Sequence, residues 1–403
     1  MKLKILSRLV CCLILLLVMF SGSAFAQSIY SRHGVGLLRY RDGVRSIGMG
    51  GIGLAATDTV YAYFLNPATM GNLNLTRIQG DFLYERASID LPGTNGLFHD
   101  ANINSFSLAF PVKRGYVFAL GIQPYSRSEF EFNQSKGDSA VSYVEILRGT
   151  GGLNELYLAF AATFGAVRAG LTTDFYFGRI NRVWRVNFTS EALRNTEDVT
   201  NNHLTGVGLH LGAQTQLGKW RLGAATGLPS RLSVGTELTT ITGFTSDTSE
   251  SKLKLPLWWG LGVSYAPNRH WLLGADWRTQ RWSTVKPEEF FGARGVDSFD
   301  LGFGIEATPS FDALAGYFKR LSYRVGGAFR QLPYEEPAGK KIHEWTATFG
   351  LGLPFTGGYN RIDLALEIGK RGSLSSNVAE EKIVMIRAAI IGSERWFQRG
   401  PRR

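Results

Sequence analysis

The chain has 403 residues, a formal net charge of +11, a mean hydropathy of −0.05 and 48 glycines. Three of those charges (Lys2, Lys4 and Arg8) precede the first apolar run and three (Arg399, Arg402 and Arg403) end the chain, so the body keeps +5. Its Lys and Arg are scattered without a reader motif, which excludes a nucleic-acid-binding domain, and the only cysteines, Cys11 and Cys12, lie in that apolar run, which excludes thiol and disulfide chemistry beyond it.

Residues 1–26 read as a secretory signal. The apolar run from Leu9 to Phe20 is too short to span a bilayer as a helix, and Ala24-Phe25-Ala26 is a small-x-small cleavage site before Gln27. Val10 before Cys11 argues against a lipoprotein. No later segment approaches the ~18 continuous apolar residues of a spanning helix.

Residues 27–75 are punctuated by Gly, Ala, Asn and Pro, from Gly48-Met49-Gly50-Gly51 to Asn66-Pro67-Ala68. A solvated linker would not carry Tyr30, Leu37, Leu38, Tyr40, Ile47, Met49, Tyr61, Tyr63, Phe64, Leu65 and Met70, so the segment is expected to pack as a plug. Its glycines would let the backbone turn tightly and approach a wall closely. The glycine run lacks the following Lys and the strand–loop–helix setting of a phosphate loop.

From residue 76 to 397 the pattern predicts an all-β transmembrane barrel of about fourteen antiparallel strands. Strands are expected at 77–91, 102–112, 116–132, 153–165, 167–188, 203–217, 220–240, 251–267, 270–284, 298–308, 321–335, 341–355, 360–372 and 381–397. In Trp345-Thr346-Ala347-Thr348-Phe349-Gly350-Leu351 one face is apolar and the other small or polar. A soluble sandwich alternates too, but its wet face would be richer in Lys and Glu than in Gly. Tight turns near 112–115, 165–166, 218–219, 267–269 and 356–359 alternate with longer polar stretches near 92–101, 133–152, 189–202, 241–250, 285–297, 336–340 and 373–380. Short periplasmic and long outer connections alternate in this way in outer-membrane barrels. The long link at 309–320 is out of place in that scheme.

Trp259, Trp271, Trp277, Tyr323, Phe329, Trp345 and Phe355 fall near strand ends, as interfacial girdles do. The last strand closes on Trp396-Phe397, close to the terminal aromatic read by barrel assembly machinery, with a basic tail at 398–403. Alternation turns Asp276, Arg278, Asp300, Glu306, Arg324, Arg330, Glu344, Asp363 and Glu367 into the lumen, where charges need partners. Arg39, Arg41, Asp42, Arg45 and Asp58 of the plug are candidates, and anchoring the plug is favoured over binding a ligand carboxylate. The six His show no metal spacing and no nucleophile motif accompanies them, so neither an enzyme nor a cofactor is expected.

Arg45-Ser46-Ile47-Gly48-Met49-Gly50-Gly51, Ala55-Ala56-Thr57-Asp58 and Asn66-Pro67-Ala68-Thr69-Met70 resemble the N-terminal signature of the FadL family of outer-membrane transporters of hydrophobic compounds. The resemblance implies an N-terminal hatch (motif residues Gly48, Gly50, Gly51, Asn66, Pro67 and Ala68) and an inward kink of the third strand that opens the wall sideways. Gly121 and Pro124 are the residues placed for that kink, because proline cannot donate to a ladder; the alternative is a harmless bulge, and Pro229 and Pro256 occupy other strands. The polar stretches Thr189–Asn202 and Thr245–Ser251 depart from the apolar outer loops of the family's fatty-acid transporters. The expectation is a monomeric barrel in the bacterial outer membrane, among its lipids, passively importing a hydrophobic small molecule, fatty-acid-like or aromatic. The alternative is a platform for partners in secretion or surface attachment.

Overall fold

Fourteen strands close on themselves in the computed structural model, which describes residues 28–39, 43–58, 60, 62, 64–92, 94–137, 141–190, 192–240, 245–336, 339–355 and 360–394. In chain order they are β1 (Thr76–Leu91), β2 (Thr94–Lys113), β3 (Tyr116–Arg127 and Phe130–Gly137), β4 (Ser142–Phe164), β5 (Val167–Phe188), β6 (Thr196–Leu217) and β7 (Trp220–Gly227 and Ser230–Thr240). They continue as β8 (Thr245–Leu255 and Trp258–Asn268), β9 (Trp271–Gln280), β10 (Ser298–Ala307), β11 (Ser322–Glu336), β12 (Lys340–Phe355), β13 (Asn360–Gly372) and β14 (Glu380–Glu394). Each pairs antiparallel with the next, and β14 returns to β1 from Glu380↔Asp90 to Glu394↔Thr76. Closure leaves no exposed edge there, which a wall in lipid requires. Leu261, Phe303, Val325 and Phe349 lie on the outer face, while Asp276, Arg278, Asp300, Glu344 and Glu367 are buried inside.

The strand count stands, but several outer ends run further than their alternation suggested. β2, β4, β6 and β8 begin at Thr94, Ser142, Thr196 and Thr245, so much of the stretches taken as loops at 92–101, 133–152, 189–202 and 241–250 is strand. The reason is physical: above the membrane both faces are wet, so a ladder needs no apolar rhythm. Conversely β9 ends at Gln280 rather than 284, and Trp282–Thr284 turns as a short 3-10 helix. Residues 1–26, Tyr40, Arg41, Asp42, Tyr61, Tyr63, the turn at 356–359, Trp396-Phe397 and the tail at 398–403 lie outside the described residues.

Proline breaks the wall at two places with different results. Pro229 of β7 and Pro256 of β8 face each other in one register, between the pairs Gly227↔Trp258 and Ser230↔Leu255. Neither can donate, so the interruptions coincide, and the ladder resumes above them. At Pro124 it does not resume on one side. β2 and β3 pair from Lys113↔Tyr116 only as far as Phe106↔Ile122. Beyond that, β3 bulges between Pro124 and Ser126 and, of the wall strands, keeps β4 as its partner.

Candidate functional site: the lumen and a gap in its wall

The N-terminal segment lies inside the barrel and is the main occupant of the lumen. Residues 44–58 and 64–70 are largely buried, and the wall they touch is built of glycine. Gly274↔Gly304↔Gly326 are consecutive cross-strand neighbours, as are Gly223↔Gly262 and Gly170↔Gly212. A Cβ at Gly304 would stand 2.3 Å from the Met49 carbonyl oxygen, and one at Gly223 only 1.9 Å from that of Leu54. The backbone of the segment therefore rests directly on the backbone of the wall. Gly50 and Gly51 turn it there with φ of +71° and +82°, a region costly for other residues. Gly48 instead ends the short helix Val44–Ile47, where a Cβ would press on Gly350.

Hydrogen bonds fix the same segment. Asp276 of β9 accepts from the backbone N–H of Gly53 at 2.6 Å and of Leu54 at 2.7 Å. Gln214 and Ser264 donate to the Ala55 carbonyl. The Asn66 side chain accepts from the N–H of Ala68 and donates to the carbonyls of Leu54 and Ala213. Pro67 then starts the 3-10 turn Pro67–Asn72, where its missing N–H costs nothing, and Ala68 is wholly buried.

The lumen charges form two networks. Toward the short-turn end, Arg45, Glu306, Arg324, Asp363, Arg361 and Asp58 close a ring of alternating sign, with contacts from 2.5 to 3.4 Å. Arg45 and Asp58 belong to the segment, so the ring ties it to β10, β11 and β13. Burial would raise the Asp58 carboxyl, but Arg361 and Arg45 hold it below its usual range. A second row links Arg278, Asp300, Arg330, Glu344, Arg371 and Glu381, with Glu367 also on Arg330. It ends on the segment's outer part, where Ser28 Oγ and the N–H of Ile29 donate to Glu381. Removing one member of such a set leaves a buried charge uncompensated, at a cost of about 3–5 kcal/mol.

Where β2 leaves β3, the segment takes its place. Leu37 and Leu38 pair with Arg127 and Ser126, the N–H of Arg39 donates to the Tyr125 carbonyl, and Ser31 Oγ donates to that of Glu129. Arg39 is also paired with Glu85 of β1. The result is a side gap between the upper parts of β2 and β3. A cleft of about 150 Å³ occupies it, lined by Ile29, Ile89, Leu91, Phe98, Phe130 and Phe132 among others. Gly121 does not mark the gap, since it is still laddered to Ser107 and Tyr157 and makes room for the Tyr157 hydroxyl. Pro124 lies at its lower lip and faces a second cavity with Gln123, Asn104 and Leu38.

A third cavity, of about 60 Å³, lies in the lumen between Leu38, Leu65, Tyr125 and Trp258, with Arg39, Glu155, His210, Arg278 and Asp300 around it. His210 Nδ1 stands 2.7 Å from the buried Asp174 carboxylate. Trp258 and Asp174 were not singled out from the sequence, and Tyr125 and His210 were not assigned to a site. Tyr125 adjoins Pro124 and Trp258 follows Pro256, and those breaks were the available signal. Tyr30, Val35 and Leu37 of the segment pack in one hydrophobic cluster with Trp282, Phe290 and Tyr334.

A family model described as BamG matches residues 4–401, nearly the whole chain. The chain belongs to the BamG family. Its fold is that of the FadL-type barrels of the bacterial outer membrane. A FadL homologue of Pseudomonas aeruginosa superposes with a TM-score of 0.60 at 13% identity, covering 89% of this chain and 99% of that one. The Pseudomonas putida toluene transporter TodX gives 0.60 at 16%, with 89% and 99% covered. The Ralstonia pickettii toluene transporter TbuX gives 0.59 at 15%, with 87% and 98% covered. No curated protein is similar enough in sequence to be matched.

Proposed function

We propose that this family member passively conducts hydrophobic small molecules, fatty-acid-like or aromatic, across the outer membrane by a side route. The observation that carries the reading is the gap between β2 and β3, where an apolar cleft meets the N-terminal segment. Ligand would enter from the outer end, rest in the lumen between Tyr125 and Trp258, and leave through the gap into lipid, with residues 27–75 as a hatch. TodX and TbuX, which share the fold, are toluene transporters.

A thiol crosslinker between Asn95→Cys and Asn133→Cys, both lining the cleft, tests the route. The chain after Cys12 offers no competing thiol. Crosslinking should abolish uptake of a labelled monoaromatic compound in cells expressing the protein, and reduction of a cleavable linker should restore it. Uptake that continues at full rate through the crosslinked protein would sink the side route.

The second reading is a platform for partner proteins. It is favoured by the packing of the segment onto wall glycines, which leaves little freedom to slide, and by the family name, which points to barrel assembly. Protein-independent entry of every hydrophobic compound tried, with the barrel folded in the membrane, would turn the balance to this reading.

A further inference from the structure

Inside the wall most arginines meet a carboxylate, as the two networks show. Arg168 of β5 and Arg221 of β7 differ. Among the described residues neither takes part in an ion pair, and the charged groups that act on Arg221 are Arg168 and Arg45, both cations. The Nε–H of each is buried without a hydrogen-bond partner. Arg168 stands opposite Gln214 and Arg221 opposite Gln216, so the two flank β6 on its inner face, two residues apart. Arg168 donates to Gln214, and its stem packs near Gly71 at the end of the Pro67–Asn72 turn.

Arg221 opens into a mouth of about 590 Å³ at the short-turn end. Lys219 and Arg269 line that mouth, and Asn72 and Asn268 add neutral donors. Its acids, Asp58 and Glu306, are already held in the closed ring. Against Arg45, Lys219, Arg221, Arg269 and Arg361 they leave the lining three positive charges in excess. Arg221, a forked cation without an acid, lines this concave mouth, with Arg168 behind it across β6, and such a fork matches the geometry of a phosphate better than that of a neutral ligand. An apolar rim adjoins. Phe311 lines the same mouth, and on the link it begins, Leu314 and Phe318 are 94% and 76% exposed. The link is held rigid by the Ser310 N–H donating to Lys319 and by Tyr323 Oη donating to Phe318.

We propose that this mouth is a binding site for a phosphate group, free or on a lipid head, centred on Arg221 and backed by Arg168 across β6. The site is independent of the side route, since it lies at the opposite end of the lumen from the gap.

Calorimetric titration of the full barrel in neutral detergent at low salt tests it, with three probes: inorganic phosphate, lysophosphatidic acid and uncharged monoacylglycerol. Phosphate and the lipid phosphate should bind, and Arg168→Gln with Arg221→Gln should weaken both tenfold or more. Arg221→Lys keeps the charge, loses the fork and should fall between. Heat-modifiable gel mobility confirms that each variant is folded. If Leu314→Ser with Phe318→Ser lowers only the lipid arm, the source is a lipid head; if the lipid chain adds nothing, it is free anion. No binding of either phosphate, equal binding of monoacylglycerol and its phosphorylated counterpart, or equal affinity in the folded double variant would overturn the proposal.

Discussion

Asp276→Ala should loosen the N-terminal segment more than any other single change outside the ion ring. The carboxylate is 4% exposed and holds two consecutive backbone donors, Gly53 and Leu54, at 2.6 and 2.7 Å. A hydrogen bond to a charged group contributes about 1.5–3 kcal/mol, so removing the oxygen that accepts both costs about 3–6 kcal/mol of local stability. At about 1.4 kcal/mol per factor of ten, the two amides should exchange with solvent roughly a hundred to ten thousand times faster. Asp276→Asn retains an oxygen acceptor and loses the charge, so its effect should be about half as large in free energy. The assay is amide hydrogen exchange of residues 46–56 in the folded barrel, read by mass spectrometry, with the β9–β14 wall as internal reference. Unchanged exchange in Asp276→Ala would refute the reasoning, and would mean that the glycine contacts and the ring hold the segment without it.

A methyl group on the wall should also loosen the segment, though less than the loss of that anchor. Gly304→Ala would place its Cβ 2.3–2.7 Å from backbone atoms of Met49, an overpacking worth about 1–3 kcal/mol, whereas Gly235 of β7 has open space around it. Proteolysis within the segment should therefore rise in Gly304→Ala and stay near wild type in Gly235→Ala, and equal sensitivity in the two would be the contrary result. The outer end of the segment should respond to acid. Burial, then Arg32 and Arg182, push His33 down to about 4, and Arg32 Nε donates to its Nε2, which only a neutral ring accepts. The packed state thus binds fewer protons than a detached one, whose histidine titrates near 6.5. Packing is complete above about pH 6.5 and weakens as the pH falls toward 4. Exchange of residues 28–38, corrected for intrinsic rate, should rise across that window in wild type and stay flat in His33→Gln; the same rise in both would place the proton elsewhere.

How much of this was legible depended on whether the information was local. Alternation along one strand states which face a residue takes, so the fourteen strands and the inward set from Asp276 to Glu367 could be read directly. The prolines could be read as breaks, because a missing N–H is a property of one residue. What each break would do could not. Pro229 and Pro256 neutralise each other because two strands bring them into one register, while Pro124 ends a ladder because residues 37 and 38 compete for its far side. The outer hairpins went unread because strands in water carry no lipid face to pattern them. The ring that joins Arg45 and Asp58 to β10, β11 and β13, and the acid-free pair Arg168 and Arg221, exist only once distant strands are set side by side. Sequence alone determined the barrel and its faces, since those follow from period and composition. Tertiary structure decided where the wall opens and which charges are left without partners, because both depend on registers between residues far apart in the chain.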